Sequence, residues 1–134
     1  MTTRYSVDVK NARAQATANK IDAGTGTGSL TIYSGELPVT LGNVTTQTAI
    51  LTLPLQKPCA AIIENGVTTL AAIAEQMVMV TGTATWALIK NGDGIPVVDL
   101  LVGVNGSGAD IELPTTNLIQ GAFIRVTAGQ ISEA

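Results

Sequence analysis

The residues able to do chemistry in this chain are few. Its 134 residues include no histidine and a single cysteine, Cys59. Nucleophilic catalysis of the Ser-His or Cys-His kind needs an imidazole to take the proton, so its usual form is excluded. Zinc sites built from histidines or several thiolates lack their ligands for the same reason. Carboxylates remain, and Asp93, Asp99, Asp110 and Glu112 fall in one stretch. Two carboxyls flanking one bond would suit glycoside hydrolysis. Three of these have a plainer reading. Asp93 belongs to Asn91-Gly92-Asp93-Gly94, a run of turn-forming residues. Asp110 and Glu112 stand two apart, so on a strand they share a face and read as a solvated acidic edge. With the carbonyls of residues 91–94 and 105–108 they also offer oxygens to calcium, but the spacing of a calcium-binding helix–loop–helix is absent. The chain reads as non-enzymatic, with no catalytic, cofactor or metal site.

Two further signals lose force on inspection. Gly24-Thr25-Gly26-Thr27-Gly28 looks like a dinucleotide fingerprint, but that motif needs a strand before it and a helix after it. Here the order is reversed. Glycan binding relies on aromatic platforms, and Tyr5, Tyr33, Trp86 and Phe123 are the only aromatic residues. Trp86 alternates with Ala84 and Leu88 and is expected in the core. The glycosylation-like triplets at 43–45 and 105–107 are expected to be chance matches, because the opening MTTRYSVDVK is polar and unlike a secretory signal. Cys59, next to Ala60, Ala61, Ile62 and Ile63, is expected to be a buried thiol.

Charged residues make up 13 % of the chain, about half of the ~25 % usual in a soluble domain. A free monomer keeps a charged, mixed surface, so much of this surface is expected to be covered by copies of the chain or by a partner. A monomer with a neutral Thr/Ser/Asn-rich surface is the plainer alternative. Net charge is −3, which leaves no nucleic-acid footprint. The charge is uneven: Arg4, Lys10, Arg13 and Lys20 lie in the first twenty residues, opposed there only by Asp8. A basic arm meeting an acidic neighbour fits this, and so does a solvated helix face. No apolar run nears the ~20 residues that span a membrane.

The elements that must carry these residues follow from periodicity and punctuation. Ser6 is an N-cap for a helix over 7–23, with Val9, Ala12, Ala16 and Ile21 as a thin apolar stripe and Gly24 as its stop. The helix is expected to dock on something, through a flexible glycine link. Residues 1–28 form this arm, helix and link; residues 29–134 form a single β domain. Short strands are expected at 30–33, 48–55, 59–63 and 77–81. Over 48–55, Ala49, Leu51, Leu53 and Leu55 share one face. Residues 67–75 fit helix or strand, with strand favoured by the turn-rich flanks. A hairpin of 83–90 and 95–102, closed by a primed turn at 91–94, organises the domain. Strands at 109–113 and 122–128 follow, then a tail at 130–134. Seven to nine short strands at this spacing predict an all-β fold, a small antiparallel β-sandwich or jelly-roll-like barrel with a short N-terminal helix or arm.

Three segments together resemble small structural virion proteins of tailed bacteriophages: Asn11-Ala12-Arg13 with the glycine link; Leu30-Thr31-Ile32-Tyr33-Ser34-Gly35 with Pro38 beyond; and GTATWALIKNGDG running to Val98-Asp99, Gly106-Ser107-Gly108, Ile111-Glu112-Leu113 and Gln120-Gly121. The resemblance implies a capsid decoration (cement) protein, present in many copies and bound to itself and to the major capsid protein. It implies a virion location after assembly in the host bacterial cytoplasm. A head-to-tail or tail subunit, and a tail-fibre module reading a cell-surface glycan, are the alternatives. Candidate partner contacts are Arg4, Lys10, Arg13 and Lys20 on the arm, and Asn91, Asp93, Asn105 and Ser107 in the glycine loops. Removing residues 1–20 is expected to leave the β domain folded and to abolish capsid association.

Overall fold

A computed structural model describes residues 4–44 and 46–132. It contains one helix, α1 (Val7–Asp22), and twelve strands: β1 (Ser29–Tyr33), β2 (Ala49–Pro54), β3 (Ala60–Glu64), β4 (Val67–Leu70), β5 (Gln76–Met77), β6 (Gly82–Thr83), β7 (Trp86–Lys90), β8 (Pro96–Val104), β9 (Ile111–Leu113), β10 (Asn117–Leu118), β11 (Phe123–Ile124) and β12 (Ala128–Ser132). Eight of them form one sheet in the order β2-β1-β7-β8-β9-β12-β4-β3. Two small ribbons, β10-β6 and β11-β5, complete the β structure.

Helix α1 starts as its sequence dictates. The Ser6 side chain accepts from Val9 N–H at 3.2 Å, meeting one of the free donors of the first turn. Asp8 lies in the first turn and Lys20 in the last, each at the end where the helix dipole favours its charge. Gly24 follows at φ +101°, a left-handed stop open to glycine. The buried stripe is Ala14, Ala18 and Ile21, whereas Val9, Ala12 and Ala16 are exposed. Helix and stop agree with expectation; the phase of the stripe does not. Small Ala14 and Ala18 let the helix backbone come close to the sheet, and Ile21 fixes the contact beside Gly28, where a Cβ would stand 2.8 Å from Ile21 Cγ2.

The glycine link is not loose. Gly92 N–H donates to Ala23 O at 2.9 Å, Lys57 Nζ reaches Gly24 O at 3.0 Å and Gly26 O at 3.4 Å, and Asp93 accepts from Thr25 N–H at 3.3 Å. A Cβ on Gly92 would lie 2.2 Å from Gly26 O. The link therefore passes against the β7–β8 turn in a space that only glycine leaves.

That turn differs from the expected primed form. Gly94 alone among residues 91–94 has positive φ, at +82°. The Asn91 side chain accepts from Asp93 N–H and Ile95 N–H at 2.9 and 3.0 Å, so an Asn-closed turn replaces the primed one. The tight Asn-Gly turn sits elsewhere: Asn65 (φ 51°) and Gly66 (φ 78°) join β3 to β4, with Glu64 opposite Val67. Residues 67–70 are strand, and the helical alternative is set aside.

The main core takes Leu30 and Ile32 from β1, Ala87 and Ile89 from β7, Ile111 and Leu113 from β9, and α1 from above. Tyr33, Trp86 and Leu88 form a second cluster on the opposite face of β1 and β7, since neighbours along a strand face opposite ways. The sheet is mixed, not purely antiparallel: β8 and β9 run parallel, pairing Val102 with Ile111 and Val104 with Leu113. A parallel crossover usually takes a dozen residues or more; here residues 105–110 suffice. Gly106 and Gly108, at φ +81° and +83°, reverse the chain sharply over Gly103, where a Cβ would strike Ser107 Oγ.

Candidate functional site

The candidate residues in the glycine loops are all engaged within the chain. Asn91 closes its own turn, and Asp93 holds the link. Asn105 Oδ1 accepts from Thr127 Oγ1, and Ser107 Oγ accepts from Ala109 N–H at 3.3 Å. The carboxylates do the same work. Glu112 accepts from Gly106 N–H at 3.3 Å and Gly108 N–H at 3.0 Å, and Asp110 accepts from Leu101 N–H at 3.2 Å. Both acids are half-buried and pin the 105–110 crossover, where the sequence suggested a solvated edge. Among the described residues, no three of His, Cys, Asp and Glu gather in a way that could hold a metal ion.

The basic candidates sit along α1 and just before it. Arg4 is exposed ahead of the N-cap, and Lys20 is exposed in the last turn. The Arg13 guanidinium lies 4.8 Å from the centre of the Tyr5 ring, a cation–π contact at an exposed site. Lys10 is half-buried; its stem covers the β3–β4 turn, with Lys10 Cβ 2.9 Å from where a Cβ on Gly66 would be. Asn11 accepts from Gly66 N–H at 2.9 Å. The basic stretch is thus a docked helix with an outward charged face.

Cys59 is buried, 1 % exposed. Burial, then the Asp22 charge, pushes its thiol up to about 12. Asp22 accepts from Cys59 N–H at 3.0 Å. A thiol so placed stays protonated and is no nucleophile. Tyr33 and Trp86 stack with ring centres 4.4 Å apart and planes at 10°, and both are buried, so neither offers a face to a glycan. Trp86 Nε1 and Thr68 Oγ1 are buried without a hydrogen-bond partner among the described residues.

Beside that charged face, apolar side chains are exposed at places the sequence did not single out. Leu37, Val39, Leu41 and Val44 are exposed in the loop after β1, Val39 at 106 %. No residue from 37 to 56 is charged. A second area joins Met77, Met79, Val80, Ile119 and Phe123, all at least 40 % exposed, with Phe123 paired opposite Met77. A groove of about 390 Å³ runs beside β2, lined by Ala49, Ile50, Leu51, Thr52, Gln76, Met77 and Met79. The signal was present in the 20-residue stretch without charge, but it gave no direction to the side chains. Comparison with protein-family models, curated proteins and solved structures gives no match for this chain.

Proposed function

We propose that this chain is a non-enzymatic structural virion protein, a decoration (cement) protein on the head of a tailed phage, assembled in the host bacterial cytoplasm. The observation that carries the reading is the amount of apolar surface held outward, in the charge-free stretch at Leu37–Val44 and around Met77 and Phe123. Monomeric proteins rarely expose contiguous apolar patches beyond a few hundred Å². Repetition on a lattice would turn many weak neutral contacts into firm attachment by avidity. The partners are further copies of the chain and the major capsid protein. The β-sandwich or jelly-roll-like barrel belongs to the same proposal, with α1 packed on the sheet at β3, β4 and β8. The burial of Tyr33 and Trp86 disfavours the glycan-reading alternative.

Expanded heads built from the major capsid protein of the source phage supply the test. Mixed with this protein and sedimented, they should carry it at saturable, lattice-like stoichiometry and resist heat better than bare heads. Heads that sediment without it would overturn the reading, and binding confined to tails would move it to a tail subunit.

A further inference from the structure

We propose that the apolar loop at residues 37–44 of one copy seats in the groove beside β2 of a second copy, joining chains head to tail. This deepens the self-association part of the proposed function and needs no capsid.

The loop is built to project. Thr85 Oγ1 donates to Gly35 O at 2.6 Å and Gln47 Nε2 donates to Glu36 O at 2.6 Å, fixing its base. Its far end rests on β8, where a Cβ on Gly42 would stand 2.8 Å from Pro96 Cγ. Between these anchors Val39 is as exposed as in an open chain, at 106 %. Pro38 stiffens the stretch and favours extended backbone at Leu37. An ordered aliphatic segment held in water loses little conformational freedom on docking, which favours binding.

The groove asks for such an occupant. None of its lining residues is charged. A charged partner segment would be stripped of water there with nothing to pair with, at a cost of several kcal/mol; an uncharged aliphatic one would not. Met77 and Met79, 44 % and 58 % exposed, are unbranched side chains that adapt to an incoming shape. The chain carries the matching segment itself, within residues 37–56, where no charge occurs.

Geometry assigns the occupant to another copy. The loop's far end lies against β8 at Gly42, and the groove lies at β2, three strands away in the sheet order, about 14 Å at the usual strand spacing. The two surfaces are different patches on one molecule. Their contact is therefore heterologous, and it propagates into a ring or a filament.

The test uses the full chain and two exposed substitutions, Val39→Asp in the loop and Met77→Asp in the groove, each checked for unchanged circular dichroism and melting. Sedimentation equilibrium of the wild type should show concentration-dependent oligomers. Each variant alone should associate roughly tenfold or more weakly, as loss of an interface anchor does. Mixed in equal amounts, the two should form a heterodimer and nothing larger, because one retains an intact groove and the other an intact loop. A wild type that stays monomeric, variants that assemble like the wild type, or a mixture without heterodimer would each overturn the inference. So would flotation of the wild type, but not of Val39→Asp, with neutral lipid vesicles in place of self-association. Capsid binding by a strictly monomeric wild type would sink this inference alone; intact oligomers that ignore capsids would sink the capsid reading alone.

Discussion

Cys59 shows what burial does to the one thiol in the chain. Its thiol is pushed up to about 12 from an ordinary 9.0, by burial first and by Asp22 second. In the native protein at pH 8 a thiol reagent should therefore react far more slowly than in denaturant; equal rates would contradict the buried placement. The sign for stability follows. Below pH 9 both folded and unfolded thiols are protonated and nothing is lost. Between about 9 and 12 the unfolded thiol ionises while the folded one does not, so stability declines as pH rises through that window. A Cys59→Ala variant should lose this alkaline component of the melting curve. At the β7–β8 turn, glycine matters more than the acid beside it. Asp93→Ala removes an exposed hydrogen bond worth about 0.5–1 kcal/mol. Gly92→Ala drives a methyl to 2.2 Å from Gly26 O and should cost about 2 kcal/mol or more, read by denaturant unfolding. Sequence alone found the turn and attributed its glycines to φ. Gly92 is instead required by the link passing against it, a long-range contact that no local pattern encodes.

At the scale of elements, α1 is part of the core. Ala14 and Ala18 are 0 % and 1 % exposed, and Ile21 is 0 % exposed. The expectation that residues 1–20 can be removed without harm to the β domain is therefore replaced: truncation uncovers core residues and should lower the melting temperature or prevent folding. A sharper check on the phase of the stripe compares two alanines on one helix. Ala18→Asp buries an unpaired carboxylate and should cost about 3 kcal/mol or more, whereas exposed Ala16→Asp should stay within about 0.5 kcal/mol. Equal costs would restore the stripe read from sequence. The helix, the strand expected at 30–33 and the β7–β8 hairpin were legible because caps, turns and alternation are local. Three features were not. A bulge shifts the register so that Ile32 faces Leu51 but Tyr33 faces Ala49; Ile50 becomes the extra residue, and Ala49 leaves the face it was expected to share with Leu51 and Leu53. The expected strand at 122–128 breaks into the short ribbon at Phe123–Ile124 and β12, because residues 130–132 of the expected tail pair with β4. Residues 133–134 of that tail and residues 1–3 of the arm lie outside the described residues. The parallel β8–β9 pair depends on Glu112 and Asp110 reaching backbone amides across the crossover; a period-two pattern shows that two acids share a face, not what they bind.

For the whole molecule, two kinds of surface compete to explain assembly, and salt separates them. The sequence pointed to the basic stretch of Arg4, Lys10, Arg13 and Lys20 against an otherwise acidic chain. The structure adds exposed apolar areas at Leu37–Val44 and at Met77, Met79 and Phe123. Attraction between exposed charges is screened beyond about 8–10 Å at ordinary ionic strength and weakens steadily as salt is added. Burial of apolar surface is not screened, and strongly hydrated salts such as sulfate strengthen it. Self-association measured by sedimentation should hold nearly constant as sodium chloride rises and should tighten in ammonium sulfate. Glutamate at Lys10, Arg13 and Lys20 should leave it unchanged, because no charge lines the groove or the loop. A steep fall with salt, abolished by those substitutions, would place the contact on α1. On the proposed function, the two surfaces would divide the labour between partners. Copies of one chain share one net sign and repel at long range, so contact between copies favours neutral ground. A different shell protein imposes no such symmetry and can offer the acidic complement to α1. Capsid binding should therefore weaken with salt under conditions where self-association does not, and a single pair of salt titrations, one with heads and one without, decides it.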